Sequence, residues 1–401
     1  MNELDKDSFE LTPSKDIIKP IKLSLKNVLK FHNEHLKLVP LFDMKEINLE
    51  QKEIAHSTLI RPQFALAGYL DYFTDKSIVI LGRTEASFLN RFDLDEQMTI
   101  ISKLAKFDIP CVIITNNNEN MFDPKIIEIF VQNNIPVFKA AGPTPIILHQ
   151  LMDIMDDFFS LKKTIHGNLV EVFGVGILIL GESGIGKSEL TLDLLEKGHR
   201  FVADDIVVLM RKWGHKVYGY GPMKTQKWIE IRGAGILDVT QMFGANLVEN
   251  IVEVENVIFL YDDERMIESV TNFMVKDYSE TTGEFISPQT EWNDIKKKFL
   301  KIPDEKLPSI DLRIYKRIIK YHPFGRISDY TFQCYILGIS KVLYPVNVSL
   351  SRNSSAIIEA IASRYNTTKV GFKLPMEEGF KRPSSPDNIY FPPNWMESKT
   401  L

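Results

Sequence analysis

Apolar and polar positions along this chain sort into short solid runs and longer striped segments. The runs SIVILG, PCVIIT and IPVFKA, between residues 77 and 140, are apolar, short and rich in β-branched residues, which predicts buried strands. Between them, residues 94–107 and 124–132 repeat their apolar positions every three or four, which predicts helices. Strands alternating with helices imply a small parallel α/β sheet. Residues 146–161 place Leu151, Ile154, Met155 and Phe158 at helical spacing, and this helix is expected to join two halves near residue 160. A second strand, turn and helix follow: the apolar run VGILIL at 175–180, a glycine-rich turn, and residues 189–195.

Composition sets limits on the class. At 401 residues, 44% hydrophobic and 25% charged, the chain is ordinary globular material with room for two or three cores. The expected organisation is an amino-terminal α/β domain over residues 1–160, with an assembly or regulatory role, then a domain holding the glycine turn over 161–345. A divergent extension over 346–401 completes it, ending in the proline-rich KLPMEEGFKRPSSPDNIYFPPNW. Residues 1–20 are expected to be a flexible leader. No apolar run reaches membrane-span length and the start, MNELDKDSFELTPSKD, is polar and acidic, so a cytoplasmic protein with no membrane partner is expected. A net charge of −5 gives no broad basic field for nucleic acid. Cys111 and Cys334 lie in apolar stretches without CxxC spacing and are expected to be buried bystanders.

The glycine turn carries chemistry. In LGESGIGKS, at 180–188, Gly181, Gly186, Lys187 and Ser188 have P-loop spacing, with Glu182, Ser183, Gly184 and Ile185 completing the loop. Such a loop turns its amides toward phosphate oxygens and the next helix adds its positive end. Lys187 is expected to reach the terminal phosphates and Ser188 to hold Mg²⁺. A P-loop enzyme also needs a carboxylate, and two pairs compete: Asp204 and Asp205 in HRFVADDIVVLM, and Asp262 and Asp263 after VIFLY. By pattern alone the second pair looks more like a strand-ending metal aspartate. His166, in TIHGNLVEV, reads by itself equally as a turn or core residue. An Asn-Lys-x-Asp guanine motif is missing from the sequence.

The stretch IHGNLVEVFGVGILILGESGIGKSELTLDLLEKGHRFVADDIVVL, at 165–209, followed by IEIRGAGILDVTQMFGA at 229–245, closely resembles the bacterial HPr kinase/phosphorylase family. IRPQFALAGYLDYFTDKSIVILGRTEASFL, at 60–89, and the later IPVFKAAGPTP resemble that family's amino-terminal domain, so the resemblance covers about residues 40–340. It implies a P-loop kinase domain similar to the nucleotide-binding core of phosphoenolpyruvate carboxykinases. It also implies an ATP- and Mg²⁺-dependent enzyme that phosphorylates a seryl hydroxyl of HPr, a small phosphocarrier, and removes that phosphate with inorganic phosphate, releasing pyrophosphate. A homohexamer is implied as well. Carried over by position, the family's ATP loop falls on 181–188, its catalytic lysine on Lys187 and its catalytic histidine on His166. Its proton-accepting aspartate falls on Asp205, its metal-binding acid on Glu230 beside Ser188, and Arg232 lies near the transferring phosphoryl group.

Two positions depart from the family. Its late basic loop, with arginines around Pro-Gly, is matched to KYHPFGRISDY, where His322 stands for the first arginine while Gly325 and Arg326 remain. A further catalytic arginine is expected between residues 255 and 275, but Arg265 is out of register and no role is carried over. Less positive charge around two reacting phosphates leads to the expectation that the kinase direction persists while phosphorolysis is weak. A P-loop kinase of a small metabolite is the alternative, and a nucleotide sensor without turnover a third reading.

Overall fold

The computed structural model describes residues 9–11, 23–43, 47–278, 280, 286–287, 290–321, 331–349 and 353–370. The first half is built on a five-stranded sheet. Leu59–Ile60, Ile78–Leu81, Val112–Thr115 and Val137–Ala140 run parallel, and Val39–Pro40 pairs antiparallel at the edge beside Val137–Ala140. Every residue of Ile78–Leu81 and Val112–Thr115 is buried, as expected for strands covered on both faces. Helices Leu94–Leu104 and Pro124–Gln132 cover one face, with Ile101, Leu104, Ile126 and Phe130 buried; Leu25–Leu36 and Thr144–Phe159 cover the other, with Val28, Leu36, Leu151 and Met155 buried. Each such side chain contributes on the order of 1.5–3 kcal/mol by leaving water. Local signals set the helix starts: Asp93 accepts from the Glu96 amide in a capping box, and Asp123 caps a helix with proline at its first position.

The second half holds a ten-stranded mixed sheet. At its centre Val175–Leu180, Val252–Tyr261 and Ile339–Asn347 run parallel and side by side. Asn168–Val172 pairs antiparallel with Val175–Leu180 on the other side, and Arg200–Ala203 follows it. Helices Lys187–Glu196 and Ser354–Lys369 pack Leu190, Leu194, Ile358 and Ala362 against one face. The other face is covered by Asp263–Phe273, Trp292–Phe299 and Ile310–Tyr321. The hairpin from Ile206–Lys212 to Lys216–Tyr220 reaches back to the joining helix, where Lys212 pairs with Asp157 and the Trp213 amide donates to Asp156 at 2.8 Å.

Two expectations change. Phe9–Glu10, assigned to a flexible leader, is a short strand running parallel to Phe332–Ile336, with Phe9 and Leu11 buried. The rest of that leader lies outside the described residues, as do 371–401 of the expected extension. The expected boundary at 345/346 falls inside the central strand Ile339–Asn347, which Val346 and Asn347 complete, and Ser354–Lys369 is a packed helix. Both cysteines are buried and free, and burial pushes their thiols up to about 12. No described helix is long and apolar enough to cross a membrane.

Candidate functional site

The fully buried strand Val175–Leu180 delivers the chain into the glycine turn, and helix Lys187–Glu196 carries it away. Gly186 caps that helix in the left-handed region with no side-chain bond, so the positive helix end faces a cavity of about 190 Å³ lined by Ser183, Gly184, Gly186, Lys187 and Ser188. Lys187 is buried, and its Nζ donates to the carbonyls of Gly181 at 2.7 Å and Glu182 at 3.0 Å. Burial lowers its pKa, and an ammonium held so dry binds an arriving anion strongly. The remaining loop residues have other places: Ile185 is buried in the core, and Glu182 accepts a hydrogen bond from Ser269 Oγ at 2.5 Å.

Strand register brings the acid and the histidine together. Ile206–Lys212 pairs antiparallel with Lys162–His166, with Ile206 opposite His166. The Asp205 amide donates to Gly167 O at 3.1 Å, and the Gly167 amide returns a bond to Asp205 O at 3.0 Å. Only glycine fits at 167, because a Cβ there would lie 2.7 Å from the Ile179 carbonyl oxygen. In consequence His166 Nδ1 stands 3.3 Å from Asp205 Oδ1, both side chains line the same cavity, and both are about 60% exposed (60% and 62%). Asp205 has φ +89°, a costly conformation for a residue with a Cβ, and such strain concentrates at functional sites.

Asp204 faces inward. It is 8% exposed and accepts from Ser188 Oγ at 2.8 Å, Asn168 Nδ2 at 2.6 Å and the Glu230 amide at 2.9 Å. Burial raises its pKa despite those three donors. The strand Trp228–Ile231 brings Glu230 to the cavity and leads into Arg232. The Arg232 guanidinium lies over the glycine turn, 2.7 Å from where a Cβ on Gly184 would sit; with φ +76° as well, position 184 admits glycine alone without strain.

Hard oxygen donors from Ser188, Asp204 and Glu230 on one cavity suit Mg²⁺, which is held by one or two carboxylates together with substrate phosphates and water. No group of three or more His, Cys, Asp and Glu among the described residues is placed to hold a metal ion. The rival pair is used elsewhere. Asp262 caps helix Asp263–Phe273 and bonds Ser349 Oγ, while Asp263 accepts from Asn347 at 3.0 Å; neither lines the cavity. Arg326, with His322 and Gly325, lies outside the described residues.

Two polar groups, Asn168 and Asp311, were not singled out from sequence, whereas Asp204 was named there beside Asp205. Asn168 and Asp204 form the buried support just described; Asn168 sits in an apolar run, and that polar interruption was its only signal. Asp311 begins helix Ile310–Tyr321 and acts electrostatically on Lys187. Burial, and then the Glu182 carboxylate, push it up to about 6, against the pull of Lys187 and His166. Nothing local in the sequence marks it.

Comparison with known proteins agrees with the resemblance. The HPr kinase/phosphorylase of Chloroherpeton thalassium is 37% identical over 249 residues, which are 61% of this chain and 72% of that protein. This chain belongs to the HPr kinase/phosphorylase family. The enzyme of the same name from Prosthecochloris aestuarii is 37% identical over 224 residues, 56% of this chain and 65% of the relative. The family's models match in two pieces, HPr Serine kinase N terminus over residues 23–155 and HPr Serine kinase C-terminal domain over 157–286. Residues 287–401 lie beyond both. Among solved structures, the Hpr(Ser) kinase/phosphatase of Coxiella burnetii aligns at 25% identity and a TM-score of 0.35, over 52% of this chain and 93% of that one.

Proposed function

We propose that the protein transfers the terminal phosphoryl group of ATP, with Mg²⁺, to a seryl hydroxyl of HPr. The observation that carries this reading is the Asp205–His166 pair standing in the same cavity as Lys187 and Ser188. Residues 181–188 hold the triphosphate, with Lys187 exchanging its two carbonyl partners for phosphate oxygens. Ser188 and Glu230 hold the metal, with Asp204 fixing the Ser188 hydroxyl and the Glu230 backbone. When bound, Mg²⁺ neutralises charge on the β- and γ-phosphates. Asp205 accepts the serine proton and His166 orients the carboxylate, a contribution worth roughly 10²–10⁴-fold in rate. Arg232 adds positive charge where the phosphoryl group moves.

A protein acceptor is favoured over a small metabolite by the surroundings. The acid and histidine are open to solvent, and Trp228, on the Glu230 strand, and Ile236, opposite Glu230, are 44% and 65% exposed. Exposed apolar groups clustered beside a site fit a macromolecular partner. Assembly as a homohexamer is carried forward as part of the proposal. The test is to incubate the protein with Mg²⁺-ATP and HPr and map the new phosphate by mass spectrometry. Phosphoserine on HPr is expected; phosphohistidine, or transfer to a metabolite with none to HPr, contradicts the reading.

A further inference from the structure

The glycine turn carries a carboxylate that can compete for its own lysine. Lys187 Nζ donates to the backbone carbonyl of Glu182 at 3.0 Å, so the side chain of Glu182 hangs from backbone already in contact with the ammonium. A bond from an ammonium to a carboxylate is stronger than one to a neutral carbonyl. A carboxylate seated on Lys187 would therefore occupy the place that a phosphate needs. In the structure Lys187 bonds the carbonyls of Gly181 and Glu182, and Glu182 is no part of the wall of the phosphate cavity.

Two helices hold the carboxylate aside. Glu182 Oε1 accepts from Ser269 Oγ at 2.5 Å, a bond that comes from helix Asp263–Phe273. On helix Ile310–Tyr321, Tyr315 is fully buried and its hydroxyl closes no bond of full geometry. The charge that acts on that hydroxyl most strongly is the Glu182 carboxylate, its available acceptor. The Tyr315 ring stands edge-on to Phe259 with centroids 5.5 Å apart, and Phe259 pairs with Leu180, the residue before the turn. Helix and turn are thus fixed to one another through adjacent strands. Asp311 supplies an opposing force: it lies one helical turn before Tyr315, and its charge and that of Glu182 repel each other. Repelled by Asp311 and drawn by Lys187, the Glu182 carboxylate stays in place because donors hold it.

We propose that Ser269 is a positioning residue which, with Tyr315, keeps the Glu182 carboxylate off Lys187 and so leaves the ammonium free for the terminal phosphates of the nucleotide. Ser269 touches neither nucleotide nor acceptor and acts through Glu182. Helix Ile310–Tyr321 lies beyond both family matches, so half of this clamp comes from a segment that they do not cover. Resting on the kinase reading only for the identity of the nucleotide, the clamp serves any anion that Lys187 receives.

In calorimetric titrations with Mg²⁺-ATP, Ser269→Ala is expected to bind about tenfold more weakly than the parent protein, because the freed carboxylate competes for Lys187. Ser269→Thr keeps the hydroxyl and is expected to stay within about twofold of the parent. The decisive comparison is made in a second background. Glu182→Gln removes the competing charge, so adding Ser269→Ala to it is expected to change affinity by less than about twofold. A serine that matters only for packing does not behave so, since its loss is not repaired at position 182. Affinity unchanged by Ser269→Ala, no retention by Ser269→Thr, or the same tenfold loss in the Glu182→Gln background overturns the role of Ser269 and leaves the kinase reading standing. A parent protein that binds Mg²⁺-tripolyphosphate but not Mg²⁺-ATP overturns the ATP reading, and the same comparison made with tripolyphosphate then decides on Ser269; one that binds neither overturns both.

Discussion

Asp205 sits where backbone preference and chemistry conflict. At φ +89° glycine is the comfortable residue, and holding an aspartate there costs about 1 kcal/mol or more. Its side chain is 62% exposed and pairs with His166, and such open pairs return little stability. Asp205→Gly is therefore expected to melt at or above the temperature of the parent protein while losing transfer. A marked fall in melting temperature would show that the carboxylate is structural. Asp311 presents the opposite case, a carboxyl made costly by burial. Its pKa in the folded protein, about 6, lies above the ordinary 3.8, so the stability due to its neutral form is complete below about pH 4 and lost as pH rises through 6. Asp311→Asn is neutral throughout. It should match the parent near pH 4 and exceed it at pH 8 by up to about 3 kcal/mol in denaturant melts; parallel pH curves for the two proteins would exclude a buried titrating carboxyl.

Elements with a solid apolar run or a strong cap were legible in the sequence, and the others were not. Ile78–Leu81, Val112–Thr115 and Val175–Leu180 are buried runs of β-branched and leucine residues, with one glycine, Gly176, in the last, so hydrophobicity alone marks them. The glycine turn was legible because its spacing has a steric cause. The meeting of His166 with Asp205 was not, because it depends on antiparallel register between Lys162–His166 and Ile206–Lys212, which no window of sequence contains; the family resemblance supplied it. Pattern alone favoured Asp262 and Asp263, whose strand-end position serves a helix cap and an asparagine. Phe9–Glu10 escaped notice for a related reason. Two residues in a polar context pair with a strand more than three hundred positions away, and only burial of Phe9 and Leu11 reveals the attachment. The Arg317 guanidinium lies 4.1 Å from the Phe9 ring centroid, adding a cation–π contact. Phe9→Ala is expected to cost about 3 kcal/mol in equilibrium unfolding, whereas a true leader residue changes nothing.

Across the molecule, the second half opens a cavity on each side of one strand, Val175–Leu180. On one side the turns around Gly167 and Asp204–Asp205 form an open acid and histidine site; on the other, the ends of Val252–Tyr261 and Ile339–Asn347 form an acidic groove closed by Ser354–Lys369. The first half contributes a separate covered sheet and meets the second through Lys212–Asp157 and the Trp213 bonds to Asp153 and Asp156. The most direct test of this arrangement is single-turnover phosphoryl transfer from ATP to HPr by Asp205→Asn, with ATP affinity measured on the same protein. Transfer is expected to fall by roughly 10²–10⁴-fold with ATP affinity changed only a few-fold. Transfer at the parent rate would contradict the assignment of Asp205 as the group that takes the serine proton.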